Sequence, residues 1–280
     1  MHSIASPADA LDILKGGGDG PPCLAGAIII PRVSVPSNLF PGLLVATVLG
    51  FVAACSTEPP SLQAQASPAT EQNVSPNINN SFKNPDVKVD MWADRFTGES
   101  REVFAERLNV LAALNLQPGD RIVDIGAGTG LYVKLFAETV GDTGKVYAND
   151  ISEPFLKFIE KNAASDGLSN VETVLGADKT TGLPDSSVDV VFHSDVYHHF
   201  EYPQTMVRDI ARTLVADGEM FVLDFERVEG VTPQRLLDHV RAGKEVVVKE
   251  IESSGFRLVE EIELPNLKEN YLLRFRKAAL

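Results

Sequence analysis

The chain has 280 residues, 44% of them apolar and 23% charged, enough for one catalytic-sized core with appendages. A formal net charge of −14 argues against a nucleic-acid partner, which needs clustered Lys and Arg to displace counterions from phosphates. The only cysteines, Cys23 and Cys55, lie in the first fifth of the chain, which excludes thiolate chemistry and Cys-based metal sites beyond residue 55.

Residues 1–38 carry GGGDGPP at 16–22 and show neither a helical nor a strand period, so no fold is expected there. The run Leu43 to Cys55, LLVATVLGFVAAC, is 13 residues of almost unbroken apolar character, short for a ~30 Å hydrocarbon core. It reads as the apolar stretch of a secretory signal; a buried helix or an anchor helix is the other reading. Its end, Val52-Ala53-Ala54-Cys55, resembles the lipobox of bacterial lipoproteins, which implies a lipid anchor on Cys55. About thirty residues precede Arg32, the basic residue that would open such a signal, and no Met lies between Met1 and Met91, so the expected start is an alternative codon such as Val33 or Val35. Mass spectrometry of the natural N-terminus checks this. Residues 56–90, rich in Ser, Pro, Gln and Asn, read as a disordered tether with too few large apolar groups to offset the entropy of ordering.

From Met91 to the C-terminus, helical and strand patterns alternate, the signature of an α/β domain with a parallel sheet. Residues 99–115 predict a helix with Phe104, Leu108 and Leu111 on one face, ended by Pro118-Gly119. Strands are expected at 121–125, 145–150, 171–176, 188–193 and 218–225, with helices at 131–140, 153–164 and 203–214 between them. A long helix near 233–254, interrupted at Gly243-Lys244, precedes two strands at 256–264 and 270–277. Only a few residues join those two, so they should pair antiparallel.

The first strand runs into Val123-Asp124-Ile125-Gly126-Ala127-Gly128-Thr129-Gly130. Its G-x-G-x-G spacing differs from the G-x-G-x-x-G of dinucleotide folds, and Asp124 adds negative charge where a diphosphate would sit. The second strand ends in Asp150, 24 residues beyond Gly126, close to the position of a carboxylate that accepts from ribose hydroxyls. Together they point to a nucleoside ligand without phosphates.

On VDIGAGTG, YAND and GADKTTGLPDSSVDVVF, the chain resembles the class I S-adenosylmethionine-dependent methyltransferases over about 190 residues. The resemblance implies a Rossmann-like, doubly wound, seven-stranded sheet, mostly parallel with an antiparallel last strand. It also implies S-adenosylmethionine as cofactor, wrapped by Gly126, Gly128 and Gly130, with Asp150 and Ile151 at the ribose and Ala177 and Asp178 beside the adenine. Asp124, Ala127, Thr129 and His193 complete the expected cofactor-binding set.

The acceptor of the methyl group is expected after the fourth strand, where HSDVYHHF places three of the five histidines. His198 or His199, with a pKa near neutrality, suits proton removal, and Tyr197 and Phe200 suit the wall of a planar or apolar acceptor. Structural roles, a helix cap and core packing, are the other reading of each histidine. His193, Asp195 and His198 are ligand types, but their spacing matches no metal motif, and no metal is expected. No Asn-Pro-Pro-Tyr type of segment follows the fourth strand, which disfavours protein or nucleic-acid amino groups as acceptors. YHHF and HVRAGKE are similar to the small-molecule branch that includes quinone-biosynthesis methyltransferases, and His239, Arg241 and Lys244 of that second segment are candidates to face the cleft. A cofactor-binding module without transferase activity, or a protein methyltransferase, is the alternative. A working signal segment implies a membrane-tethered or periplasmic protein; if the segment is not a signal, a cytoplasmic one is expected.

Overall fold

The structure, a computed structural model, describes residues 71–98 and 101–278. The signal-like segment, its Cys55 and the first part of the expected tether lie outside the described residues. Among the described residues, no helix is long and apolar enough to cross a membrane.

Seven strands form one sheet: β1 (Arg121–Ile125), β2 (Lys145–Asp150), β3 (Val171–Leu175), β4 (Val188–Ser194), β5 (Leu214–Phe225), β6 (Phe256–Glu261) and β7 (Asn270–Lys277). Their order is β3-β2-β1-β4-β5-β7-β6. The first five pair in parallel, and β7 inserts antiparallel between β5 and β6. The chain winds outward from β1 to β3, then restarts at β4 on the other side of β1. That reversal opens a crevice at the carboxyl ends of β1 and β4, where ligands of such sheets bind.

Strand β4 shows why the sheet is buried on both faces. Val190 and Phe192 enter one core cluster and Val191 the other, so a continuous apolar run replaces simple alternation. Helices α4 (Val133–Val140), α5 (Glu153–Ser165) and α6 (Pro203–Thr213) cover the sheet with single apolar stripes. In α4 the buried set is Val133, Phe136, Ala137 and Val140, the spacing of one helical face.

Three expectations are corrected. The 99–115 helix is two short ones, α2 (Glu102–Ala105) and α3 (Arg107–Leu114), separated by Glu106. The break rotates the buried face onto Val103, Val110 and Leu114 and leaves Leu108 58% exposed. Residues 71–90 are not tether. Glu71 accepts from the free amides of Gln204 and Thr205 at the start of α6, at 2.8 and 2.7 Å, and the Val74 amide donates to the Glu201 carbonyl. Helix α1 (Val89–Phe96) follows, and Phe82 packs at a tilt against its Trp92 with ring centroids 5.0 Å apart. The 233–254 helix separates into α7 (Gln234–Leu237) and α8 (Lys244–Glu252), with Gly243 as the cap of α8. The stripe Leu236, Val240, Val247 and Ile251 nevertheless stays buried throughout.

Candidate active site

The turn from β1 into α4 is backbone-lined because its glycines take conformations that other residues avoid. Gly126 has φ +66°, and a Cβ there would lie 2.5 Å from the Val196 Cγ2, a rigid branched side chain in the loop after β4. Gly126→Ala is expected to destabilise the protein by about 2–4 kcal/mol, from left-handed backbone strain plus overpacking. An unchanged urea midpoint would remove Gly126 from this role. Gly130, expected to wrap the cofactor, has a different task. A Cβ there would approach Ile159 of α5 at 3.1 Å, so this glycine lets α5 pack on the turn and does not line the cleft.

The remaining cofactor-set residues do converge. Asp124, Gly126, Ala127, Gly128, Thr129, Asp150, Ile151, Ala177 and Asp178 all line one cleft. Asp150 accepts the Gly128 amide on Oδ2 and the Ser152 amide on Oδ1, each at 2.8 Å, which fixes its carboxylate against the turn. Burial pushes its pKa up to about 6, although the amides of Gly128, Ser152 and Ile151 oppose the shift. Burial, and then the Asp150 charge, raise Asp124 well above the usual carboxylate range. Two desolvated carboxyls side by side favour a cation between them. Asp178 is held by Lys83 Nζ at 2.6 Å, a contact supplied by the stretch read as tether.

His193 is a correction. Its ring is fully buried with neither nitrogen hydrogen-bonded, and it faces Tyr197 and Phe200 within the core behind the cleft. Burial pushes its pKa down to about 4, so it is neutral there. Tyr197 is corrected for the same reason: it is buried, its hydroxyl donates to Glu250 Oε2 at 3.1 Å, and it touches neither cleft. Phe200 does line the cleft, and the aromatic wall is completed by Phe82, Phe96 and Phe155. Of His239, Arg241 and Lys244, only His239 lines either cleft. Arg241 pairs with Glu250, and Lys244 with Glu226 and Glu261.

A second cleft adjoins the first and shares Phe82, Phe96, Arg101, Asp195 and His199 with it. Asp195 sits at φ +55°, a left-handed conformation costing roughly 1–3 kcal/mol for a non-glycine residue. It is held by Arg101 and by Asn270 Nδ2 at 2.7 Å. Burial lifts its pKa to about 6, with the Arg101 charge opposing. His198 and His199 belong to the 3-10 turn Tyr197–His199 after β4. Asp224, at the carboxyl end of β5, accepts from the His198 amide at 3.1 Å and bonds its Nδ1 at 2.7 Å. Burial works against a charged His198, but Asp224 outweighs it and the pKa is raised. His199 is driven down to about 3, first by burial and then by its histidine neighbours.

An open mostly parallel sheet with β7 inserted antiparallel, a G-x-G-x-G turn after β1 and a carboxylate ending β2 define the class I S-adenosylmethionine-dependent methyltransferase fold, whose cofactor is S-adenosylmethionine. Residues 123–222 match the family model described as a methyltransferase domain. The chain is 27% identical over 158 residues to a ubiquinone/menaquinone biosynthesis C-methyltransferase of Paraburkholderia phytofirmans, covering 56% of this chain and 64% of that one. Against the protein of that name from Burkholderia mallei it is 30% identical over 118 residues, covering 42% and 48%. It thus spans less than two thirds of the length of these curated relatives. Among solved structures, a methyltransferase from Aquifex aeolicus superposes with TM-score 0.58 at 24% identity, covering 69% of this chain and 97% of that one. The putative methyltransferase in a Haloferax volcanii Trm112 complex gives 0.60 at 17% identity, covering 72% and 98%. These structural likenesses carry the fold.

Proposed function

We propose that the protein transfers the methyl group of S-adenosylmethionine to a small, hydroxylated aromatic acceptor held in the second cleft. The observation that carries this reading is the pair of buried carboxyls, Asp124 and Asp150, beside a side-chain-free turn. A nucleotide phosphate would meet repulsion there, whereas a nucleoside whose sulfonium and ammonium outweigh its carboxylate suits an acidic turn. When bound, the cofactor supplies an electrophilic methyl carbon on a cationic sulfur. Transfer would be an in-line displacement, the acceptor atom bonding to that carbon as its bond to sulfur broke. That would leave the glycine turn and Asp150 to hold the cofactor and the cleft walls to place the acceptor.

The chain's contribution is placement and proton removal. Phe82 and Phe96, shared by both clefts, form walls suited to a planar ring, and His199 stands where the two clefts meet. A phenol or an activated ring carbon must lose a proton in the course of transfer, and the histidines at this end of the cleft are the groups near enough to promote that loss. The relatives' names, which refer to carbon methylation in quinone biosynthesis, favour the same acceptor class. Incubation with S-adenosylmethionine and a panel of hydroxylated quinols, with S-adenosylhomocysteine as readout, tests the proposal. Cofactor binding with no turnover on any of them would instead make the protein a binding module.

Cofactor affinity should depend on pH with a defined sign. Asp150 must be ionised to accept two ribose hydroxyls, and its folded pKa of about 6 puts that ionisation just below neutrality. Affinity is therefore expected to fall about tenfold per unit as pH drops below that value, with proton release on binding near pH 6. Calorimetry in two buffers of different ionisation enthalpy measures both, and a flat affinity from pH 5 to 7 would remove Asp150 from ribose binding.

A further inference from the structure

We propose that His198, His199 and His239 bind one divalent transition-metal ion, of the zinc type, at the floor of the second cleft, with an open coordination position facing the acceptor. The metal site stands on its own geometry; the role of its open position rests on the methyltransferase reading above.

The three imidazoles come from two distant parts of the chain, the turn after β4 and the segment after α7, yet one nitrogen from each lies within 4.8 Å of the other two. The Nε2 atoms of His198 and His239 are 3.2 Å apart. Nitrogens bound at about 2.0–2.1 Å in a tetrahedral shell lie roughly 3.3–3.4 Å apart, so this pair already has ligand spacing and a modest rotation of His199 completes the set. Asp224 supports the arrangement from behind. Buried, and 2.7 Å from His198 Nδ1, it accepts a hydrogen bond from the N–H of that nitrogen and leaves the Nε2 lone pair directed at the cluster, as carboxylates do behind metal-bound histidines. His199 adds a buried Nδ1 that has no hydrogen-bond partner.

The donor set selects the ion. Three neutral imidazoles without a carboxylate among them suit zinc, iron, cobalt, nickel or copper rather than magnesium or calcium. Burial grades from His198, which is enclosed, through half-buried His199 to exposed His239, so the ion is reached from the cleft and keeps at least one position open. Three protein ligands with an open fourth position is the pattern of a catalytic rather than a structural ion. Arg101 and Arg235 line the same cleft paired with Asp195 and Glu269, so the open metal position is the group that would take an anionic oxygen, the phenolate form of a hydroxylated ring. A metal-bound hydroxyl ionises more readily than a free one, so the histidines would then promote proton loss as ligands and not as bases.

The test uses the full chain without a polyhistidine tag, stripped with chelator and titrated with Co2+ alone, then Zn2+ alone. The expected result is one ion per chain, a visible cobalt band of a low-coordinate site, and at least hundredfold weaker binding in His239→Ala. That variant removes an exposed side chain and should keep the wild-type melting profile. Asp224→Asn should weaken binding about ten- to hundredfold. Equal cobalt affinity in wild type and His239→Ala would overturn the proposal and leave a hydrogen bond between His198 and His239 as the reason for their contact. S-adenosylmethionine titrated in parallel separates the two readings: cofactor binding without metal binding sinks the metal site alone, and metal binding without cofactor binding leaves the site standing while sinking the transferase.

Discussion

Asp150→Ala is expected to weaken S-adenosylmethionine binding at least hundredfold, about 3 kcal/mol, while the protein without ligand stays folded. The carboxylate holds the Gly128 and Ser152 amides and keeps its remaining lone pairs for the ribose hydroxyls. Two charge-assisted hydrogen bonds at roughly 1.5–3 kcal/mol each account for the size of the loss. Stability moves differently. The folded pKa, about 6, lies above the unfolded value, so this group's stabilising contribution is fully present below about pH 4 and is lost as pH rises through 6. At pH 7 the buried carboxylate is therefore a cost to the protein without ligand, and its removal offsets part of the damage from two unpaired amides. Trp92, the single tryptophan, borders the second cleft and gives a fluorescence readout. Affinity equal to wild type in Asp150→Ala would refute ribose binding by this residue, and Asp150→Asn, which keeps the shape but not the charge, should fall between the two.

What could be read from the sequence depended on how local each signal was. The glycine turn, Asp124 and Asp150 were legible because a strand end and the turn after it are one short run of chain, and the nature of the ligand follows from residue types there. The antiparallel edge was legible from the length of one connection. His239 could be suspected only for lying in a helix with a broken stripe, because what makes it part of the site is 3.2 Å to a histidine 41 positions earlier. Arg101 and Asp224 carried no local signal at all; each matters as the partner of a residue on another element. Tyr197 and His193 were misread through the period of the strand and turn. Strand β4 ends at Ser194, Asp195 takes a left-handed φ and Tyr197–His199 form a 3-10 turn, so no single period runs through this stretch. His193 and Tyr197 go into the core while Asp195 and His199 go to the cleft. Residues 71–90 failed by composition. A polar stretch stays placed when a few residues are hooked well, here Glu71 on the start of α6 and Asn79 on the His199 carbonyl at 3.0 Å.

His198→Ala is expected to abolish turnover, by more than a hundredfold, with cofactor affinity unchanged, and to destabilise the protein by about 3–5 kcal/mol. Both effects follow from Asp224. It is buried and held below the usual carboxylate range by His198, which outweighs the opposing effect of burial, so deleting the imidazole leaves an enclosed charge without its main partner. The two effects have different remedies, which separates a role in the site from a role in the fold. His198→Ala combined with Asp224→Asn removes the orphaned charge and should recover much of the stability, a non-additive coupling readable in a double-mutant cycle. Turnover should not return, because neither alanine nor asparagine restores the nitrogen that faces His239. If the double variant regains both, His198 is a structural partner of Asp224 and the acceptor chemistry lies elsewhere. If His198→Ala loses stability but keeps full turnover per folded molecule, the histidine cluster has no part in the reaction.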